Sequence, residues 1–172
     1  ADRQLYAWTM NIRRFADALA VLDATPPSFQ LNRKRREAFL QIGHFLETAS
    51  RPGGPFDLKR NPGQLLQLIA SRLVAAADDI SKSRLRADQV TAWQMYNHGV
   101  IVKAGGVVVG LDIVPITRAF GWEEPAGLTE TLAALMDILL ITHGHADHFD
   151  RALVQACLRR GKPVVMPESL AN

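Results

Sequence analysis

The sequence predicts an α/β protein, a helical N-terminal region followed by short strands, and three observations carry that expectation. Residues 1–90 hold three apolar stripes that repeat at intervals of three and four. Trp93 to Val114 reads as β-branched runs broken at Asn97-His98-Gly99 and Gly105-Gly106. A further apolar run, Asp137-Ile-Leu-Leu-Ile141, passes directly into a helical pattern.

In the first stripe Leu5, Trp8, Ile12, Phe15, Leu19 and Leu22 fall on one side of a helix, which Pro26-Pro27 ends. A second helix is predicted over 33–49, with Phe39, Ile42, Phe45 and Leu46 on one side; Arg51-Pro-Gly-Gly-Pro55 closes it. A third starts near Pro62, a good first-turn residue, and runs through Leu65, Leu68, Ile69, Leu73 and Ala76 to about Lys82. Such stripes are ordinarily core; the functional alternative is a lid or an oligomer surface. In the strand region Gly105-Gly106 fits a hairpin turn better than a phosphate loop, because no Lys-Ser or Lys-Thr follows Gly110.

Composition sets outer limits. At 172 residues, 48% hydrophobic and 22% charged, the chain has ordinary globular composition, with room for one domain or two small ones. No run of eighteen apolar residues exists, which argues against a membrane span. The formal charge of +3 does not by itself make a nucleic-acid binder. The densest basic cluster, Arg33-Lys34-Arg35-Arg36, sits at a helix start, where positive charge opposes the helix dipole; carboxylates such as Glu37 or an anionic partner would relieve it. The one cysteine, Cys157, cannot form an internal disulfide and reads as a small buried hydrophobe on the last helix. Cytoplasmic and periplasmic locations both stay open.

Chemistry concentrates between Asp137 and His148, where three of the five histidines fall within six positions. If the backbone stays extended past Ile141, alternate side chains project together, so His143 and His145 share a side and Gly144 leaves room between them. Asp147 and His148 sit where the strand gives way to a helix marked by Phe149, Leu153, Ala156 and Cys157, with Gly161 as its stop. Four potential ligands meet at one strand-to-helix corner. Imidazoles with a carboxylate suit zinc, or iron and manganese with less preference. His98 either reaches the active-site side of the sheet, in a substrate or metal role, or serves as a turn residue.

The string Thr142-His143-Gly144-His145-Ala146-Asp147-His148 resembles the HxHxDH signature of the metallo-β-lactamase superfamily. Upstream, a Gly-Gly turn before a strand ending in Val-Gly-Leu-Asp112 is similar to that family's opening strands, and Gly161-Lys-Pro-Val-Val-Met-Pro167 to its next strand. The resemblance covers residues 91–172. It implies the first half of an αββα sandwich over 91–172, as a truncated domain, following the helical N-terminal region that the apolar stripes predict over 1–90. By the same resemblance His143 and His145 bind one metal, Asp147 and His148 bind a second, and Asp147 orients the attacking hydroxide. The expected cofactor is two zinc ions.

The implied activity of the complete protein is metal-dependent hydrolysis of an ester, lactone, amide or phosphodiester, with a small anionic molecule as the expected substrate. Asp112-Ile-Val-Pro115 is closest to the lactonase-like branch. Further ligands that the family places later in sequence have no counterpart here, since no histidine lies beyond His148. The resemblance therefore also implies an apolar sheet face well above a few hundred Å², covered by a missing C-terminal segment, a partner chain or the N-terminal helices. Two alternatives stand beside it: an inactive fragment or interaction module with a partial metal site, and a nucleic-acid-processing nuclease.

Overall fold

The computed structural model describes residues 2–25, 32–49, 63–96, 98–115 and 124–170. They form a mixed α/β architecture in the order α1 (Asp2–Ala24), α2 (Arg33–Ala49), α3 (Gly63–Lys82), β1 (Val90–Gln94), β2 (Val100–Ala104), β3 (Val107–Leu111), α4 (Leu128–Leu135), β4 (Ile138–Leu140), α5 (Arg151–Arg159) and β5 (Val164–Val165). A single 3-10 turn, Glu168–Leu170, follows. The chain forms two compact units, Ala1–Leu68 and Ile69–Asn172. The predicted stops Pro26-Pro27 and Arg51 to Pro55, and the start at Pro62, lie outside the described residues, as do the side chains of Leu5, Trp8, Leu46, Leu65 and Leu68.

In the first unit α1 and α2 pair through Phe15 and Phe45, both buried, with ring centroids 4.7 Å apart. The core face of α2 is Ala38, Ile42 and Phe45, not the expected face through Phe39, which is 54% exposed. The shift follows from Arg35. Its guanidinium donates to the Leu22 carbonyl at 3.0 Å and to that of Thr25, closing the C-terminal end of α1, and lies 5.1 Å above the Phe39 ring. Positive charge at the start of α2 is thus placed against the negative end of α1. The N-cap is Asn32, whose Oδ1 accepts from the Arg35 N–H at 3.1 Å.

The second unit is built on a five-stranded sheet in the order β1-β2-β3-β4-β5. β1, β2 and β3 are antiparallel neighbours; β4 runs parallel to β3, and β5 parallel to β4. The β2–β3 hairpin closes at Gly105 and Gly106, with φ of 55° and 87°, which is why two glycines stand there. The predicted strand over 137–141 is one residue shorter at each end. Asp137 instead brackets the end of the β3–β4 ladder: its N–H donates to the Val108 carbonyl at 2.7 Å, and its carboxylate accepts from the Val108 N–H at 2.8 Å. Helix α5 is capped by Asp150, which accepts from the Leu153 N–H at 2.8 Å, and the chain leaves it through Gly161 at φ 67°.

Pairing register assigns side chains to faces, because directly opposed residues point the same way. The row Trp93, Ile101, Gly110, Leu139 and Val164 points to the covered face. The core there includes Ile101 and Leu139 with Leu132, Met136, Leu153 and Cys157 from and beside α4 and α5, all fully buried. Burial raises the Cys157 thiol pKa, in keeping with an apolar packing role. The C-terminal end of α3 is fixed to the same face through its buried side Leu73, Ala77 and Ile80, rather than the expected Ala76 register. Lys103 of β2 donates to the carbonyls of Ile80 and Ser83 at 2.9 and 3.0 Å, and the Trp93 indole donates to Asp79 at 2.7 Å.

The opposite row runs through Val90, Val102, Val107, Val109, Ile138, Leu140 and Val165 and carries no charge. It is open: Val90 is 67%, Val107 51% and Val165 54% exposed. Strands about 4.8 Å apart rising about 3.3 Å per residue give this face a footprint on the order of 300 Å². That is comparable to the largest apolar patch an ordinary monomer carries, not well above it as expected from the sequence. Among the described residues no helix is long and apolar enough to cross a membrane.

Two substitutions test this packing. A Cβ on Gly110 would lie 2.1 Å from Sδ of Met136, a side chain with no exposed surface into which to swing. Gly110→Ala is expected to cost about 1–3 kcal/mol by overpacking, read from the urea midpoint at unchanged slope. Lys103→Met keeps the aliphatic stem and removes the ammonium from the end of α3; a loss of about 1–2 kcal/mol is expected in the same assay.

Candidate metal centre

β3 and β4 run parallel, so their C-terminal ends open on the same edge of the sheet, and the candidate residues follow directly from those ends. β3 ends at Leu111 and passes to Asp112, a non-glycine residue with φ of 50°. Its N–H donates to the Leu140 carbonyl at 2.9 Å, so the turned backbone is tied to the last residue of β4. The side chain is buried and fully engaged. One oxygen accepts from the Thr142 N–H at 2.7 Å; the other accepts from the Thr142 hydroxyl at 2.7 Å and faces Nδ1 of His148 at 2.9 Å.

Burial pushes the Asp112 carboxyl pKa up, but the hydrogen bond from His148, those from the Thr142 N–H and hydroxyl, and the charge of His148 outweigh it. The net displacement is below the ordinary carboxylate value. Asp112 thus acts as an ionised anchor.

Beyond Leu140 the chain is irregular over 141–144 and then turns, with the N–H groups of His148 and Phe149 both donating to the His145 carbonyl at 2.9 Å. The regular strand ends at Leu140, before the histidines, and the turn brings His148 back beside His143. The rings of His143 and His145 meet edge to face with centroids 4.5 Å apart, and those of His143 and His148 are 4.0 Å apart. Gly144 also lies against Leu170, whose Cδ2 would be 2.6 Å from a Cβ there. The Thr142 hydroxyl, already donating to Asp112, lies 2.9 Å from Nδ1 of His143. With Nδ1 of both His143 and His148 so occupied, their Nε2 atoms are left as the available ligand atoms.

His98 joins the same cluster from the β1–β2 turn. That turn closes with the Met95 N–H on the Gly99 carbonyl at 2.8 Å and presses on the Asp112 corner, where a Cβ on Gly99 would stand 3.0 Å from the Asp112 carbonyl oxygen. The His98 ring then stacks on His148, centroids 4.7 Å apart and planes 8° from parallel. Its Nε2 is 3.5 Å from Oδ2 of Asp147, and Nε2 of His148 is 3.8 Å from the same oxygen.

Four of the five histidines therefore stand together, and the fifth, His44, is on α2. Among the described residues the group of three donors whose ligand atoms lie within 4.8 Å of one another is His98, Asp147 and His148. Imidazole nitrogens and a carboxylate oxygen at these separations fit a divalent ion of the zinc class, and the carboxylate behind His148 is the kind of support such ligands have. Two contributions escaped sequence reasoning. Asp112 and Thr142 were visible only as neighbours of the motif, since the hydrogen bonds joining them span thirty positions of sequence. His98 stands well before the motif, and only strand pairing brings it near.

Comparison with known family models, with curated proteins and with solved structures gives no match for this chain.

Asp112→Asn keeps the shape and removes the charge. Because the Asp112 carboxyl sits below its ordinary value, it stabilises the fold above the unfolded-state pKa of about 3.9, and that contribution is lost as pH falls through the lower folded value. The D112N variant is expected to be less stable than wild type by about 1–3 kcal/mol at pH 7, with the gap narrowing on acidification in urea melts between pH 7 and pH 3.

Proposed function

We propose that the second unit carries the metal-binding half of a metal-dependent hydrolase of the metallo-β-lactamase kind. The observation that carries this reading is the convergence of His98, Asp147 and His148 on one point beside His143 and His145, behind which a buried Asp112 holds His148. The HxHxDH string, its position after a β-strand and before a helix, and the Gly-Gly hairpin upstream support the same assignment.

In this reading His143 and His145 would hold one zinc ion, and Asp147 with His148 a second. Such ions, when bound, lower the pKa of water to about 7 and polarise the oxygen of an ester, lactone, amide or phosphodiester. The chain's own contribution is positional. Asp112 keeps the His148 tautomer that leaves Nε2 free, Thr142 does the same for His143, and the Asp147 carboxylate accepts a proton from the attacking water and orients it. Cationic ions in a mildly basic chain favour a small anionic substrate. The lactonase-like branch is the narrower form of the proposal.

A layer over the open valine face, supplied by further polypeptide or by a partner chain, belongs to this proposal, since it would bring the remaining ligands. The competing module reading draws on the same open face. The nuclease reading loses support from Arg35, which is engaged on the α1 carbonyls and leaves Arg33, Lys34 and Arg36 as the exposed cations.

The test is zinc titration followed by turnover of a panel of lactone, ester and phosphodiester substrates. In the active assembly His145→Ala is expected to lower zinc content and reduce kcat/KM at least a hundredfold with the fold retained. Asp147→Asn should lower kcat more than it raises KM. Full activity in the H145A variant would overturn the proposal.

A further inference from the structure

We propose that His98 is itself a metal ligand, so that His98, Asp147 and His148 form a three-donor site for one divalent ion of the zinc class. The inference rests on the metal-centre reading and extends it to a residue far outside the HxHxDH string.

The distances decide between a hydrogen-bonded pair and a ligand set. Nε2 of His98 and of His148 lie 3.5 and 3.8 Å from Oδ2 of Asp147. Both exceed the 2.7–3.2 Å of an N–H···O hydrogen bond. They are close to the spacing two ligand atoms adopt around a shared ion, since bonds of about 2.0–2.2 Å at tetrahedral angles separate donors by about 3.3–3.6 Å. At 63% exposure the His98 side chain has room on its solvent side, while its stacking on His148 keeps the ring beside the carboxylate. Two imidazole nitrogens converge on one oxygen with an ion's width between them.

The mounting agrees. His148 cannot turn away, because its Nδ1 is held by Asp112, whose carboxylate is also pinned by Thr142. The β1–β2 turn cannot drift from this corner without opening the close approach of Gly99 to the Asp112 backbone. The three donors thus come from two separate turns, one held by the Asp112 carboxylate and the other packed against the Asp112 backbone, and a site assembled in this way is set by the fold of the sheet before any ion arrives. His143, whose ring lies 4.0 Å from that of His148 and 4.5 Å from that of His145, is left with His145 for a second ion in this reading.

The experiment is Zn²⁺ titration of wild type, His98→Ala and His98→Gln against a competing chelator, with side-chain ¹⁵N NMR of the histidines, and His44→Ala as a control outside the cluster. Wild type is expected to bind Zn²⁺ with a shift of the His98 Nε2 resonance. Both His98 variants should weaken one binding event by about 10–100-fold with unchanged far-UV circular dichroism, and H44A should match wild type. Zinc binding in wild type that leaves the His98 resonance unmoved, with affinity intact in H98A and H98Q, overturns the ligand role and leaves the metal centre standing. No zinc binding by wild type or any variant overturns the centre itself, and the ligand role with it.

Discussion

The second unit depends on how one carboxylate is held. Asp112 is placed by a backbone turn with positive φ at the end of β3, is tied through its N–H to the end of β4, and divides its two oxygens between Thr142 and His148. Each of those contacts joins segments about thirty residues apart, so the carboxylate sets the spacing between the strand ends and the turn that carries the histidines. An ionised group so deeply placed is costly unless every lone pair is satisfied. Here the satisfaction and the positioning are the same set of bonds, which is why loss of charge at this point reaches both stability and site geometry.

The sheet behind the corner is asymmetric, and the asymmetry has a packing cause. On the covered face Gly110 lets Met136 lie directly against β3, bringing α4 close, while Ile101 and Leu139 fill the space on either side. Lys103 and Trp93 fasten the end of α3 to the outer strands. The other face is an uncharged row of valines and related residues, of which Val90, Val107 and Val165 are more than half exposed. A two-layer unit can fold on one covered face, and the same unit presents the second face as a surface for another layer. The candidate centre stands at the rim between these faces, at the carboxyl ends of β3 and β4, where parallel strands leave loops free to converge.

Much of this was legible in the sequence, and the boundary of legibility is physical. The helices over 33–49 and up to Lys82, the Gly-Gly hairpin, the helix after the motif and its stop at Gly161 follow from local rules: periodicity, capping and positive φ. The motif residues were likewise visible because their spacing is local. What failed or stayed hidden was decided by partners distant in sequence. Phe39 has the right periodicity for core yet faces out, because the guanidinium of Arg35 reaches back to the end of α1 and covers it. Extended backbone was expected to bring His143 and His145 together, and their rings do meet, 4.5 Å apart; the turn closed on the His145 carbonyl adds His148 to them. Asp112 was legible only as the residue ending a strand and His98 only as an undecided candidate, since one acts through hydrogen bonds across the sheet edge and the other through a hairpin pressed against it.

The histidine cluster also separates ligand chemistry from ordinary structural hydrogen bonding. Its true hydrogen bonds run through Asp112 and Thr142, and both engage the Nδ1 side of a ring, at His148 and His143. The Nε2 side of the cluster is closed by no such bond: the contacts of Asp147 with His98 and His148 are both too long. Packed rings that needed only structural satisfaction would be expected to shorten those contacts or to move an exposed imidazole into water. A set of rings held firmly from behind and spaced apart in front has the form of a preorganised site, in which the fold has already met the cost of bringing the donors together.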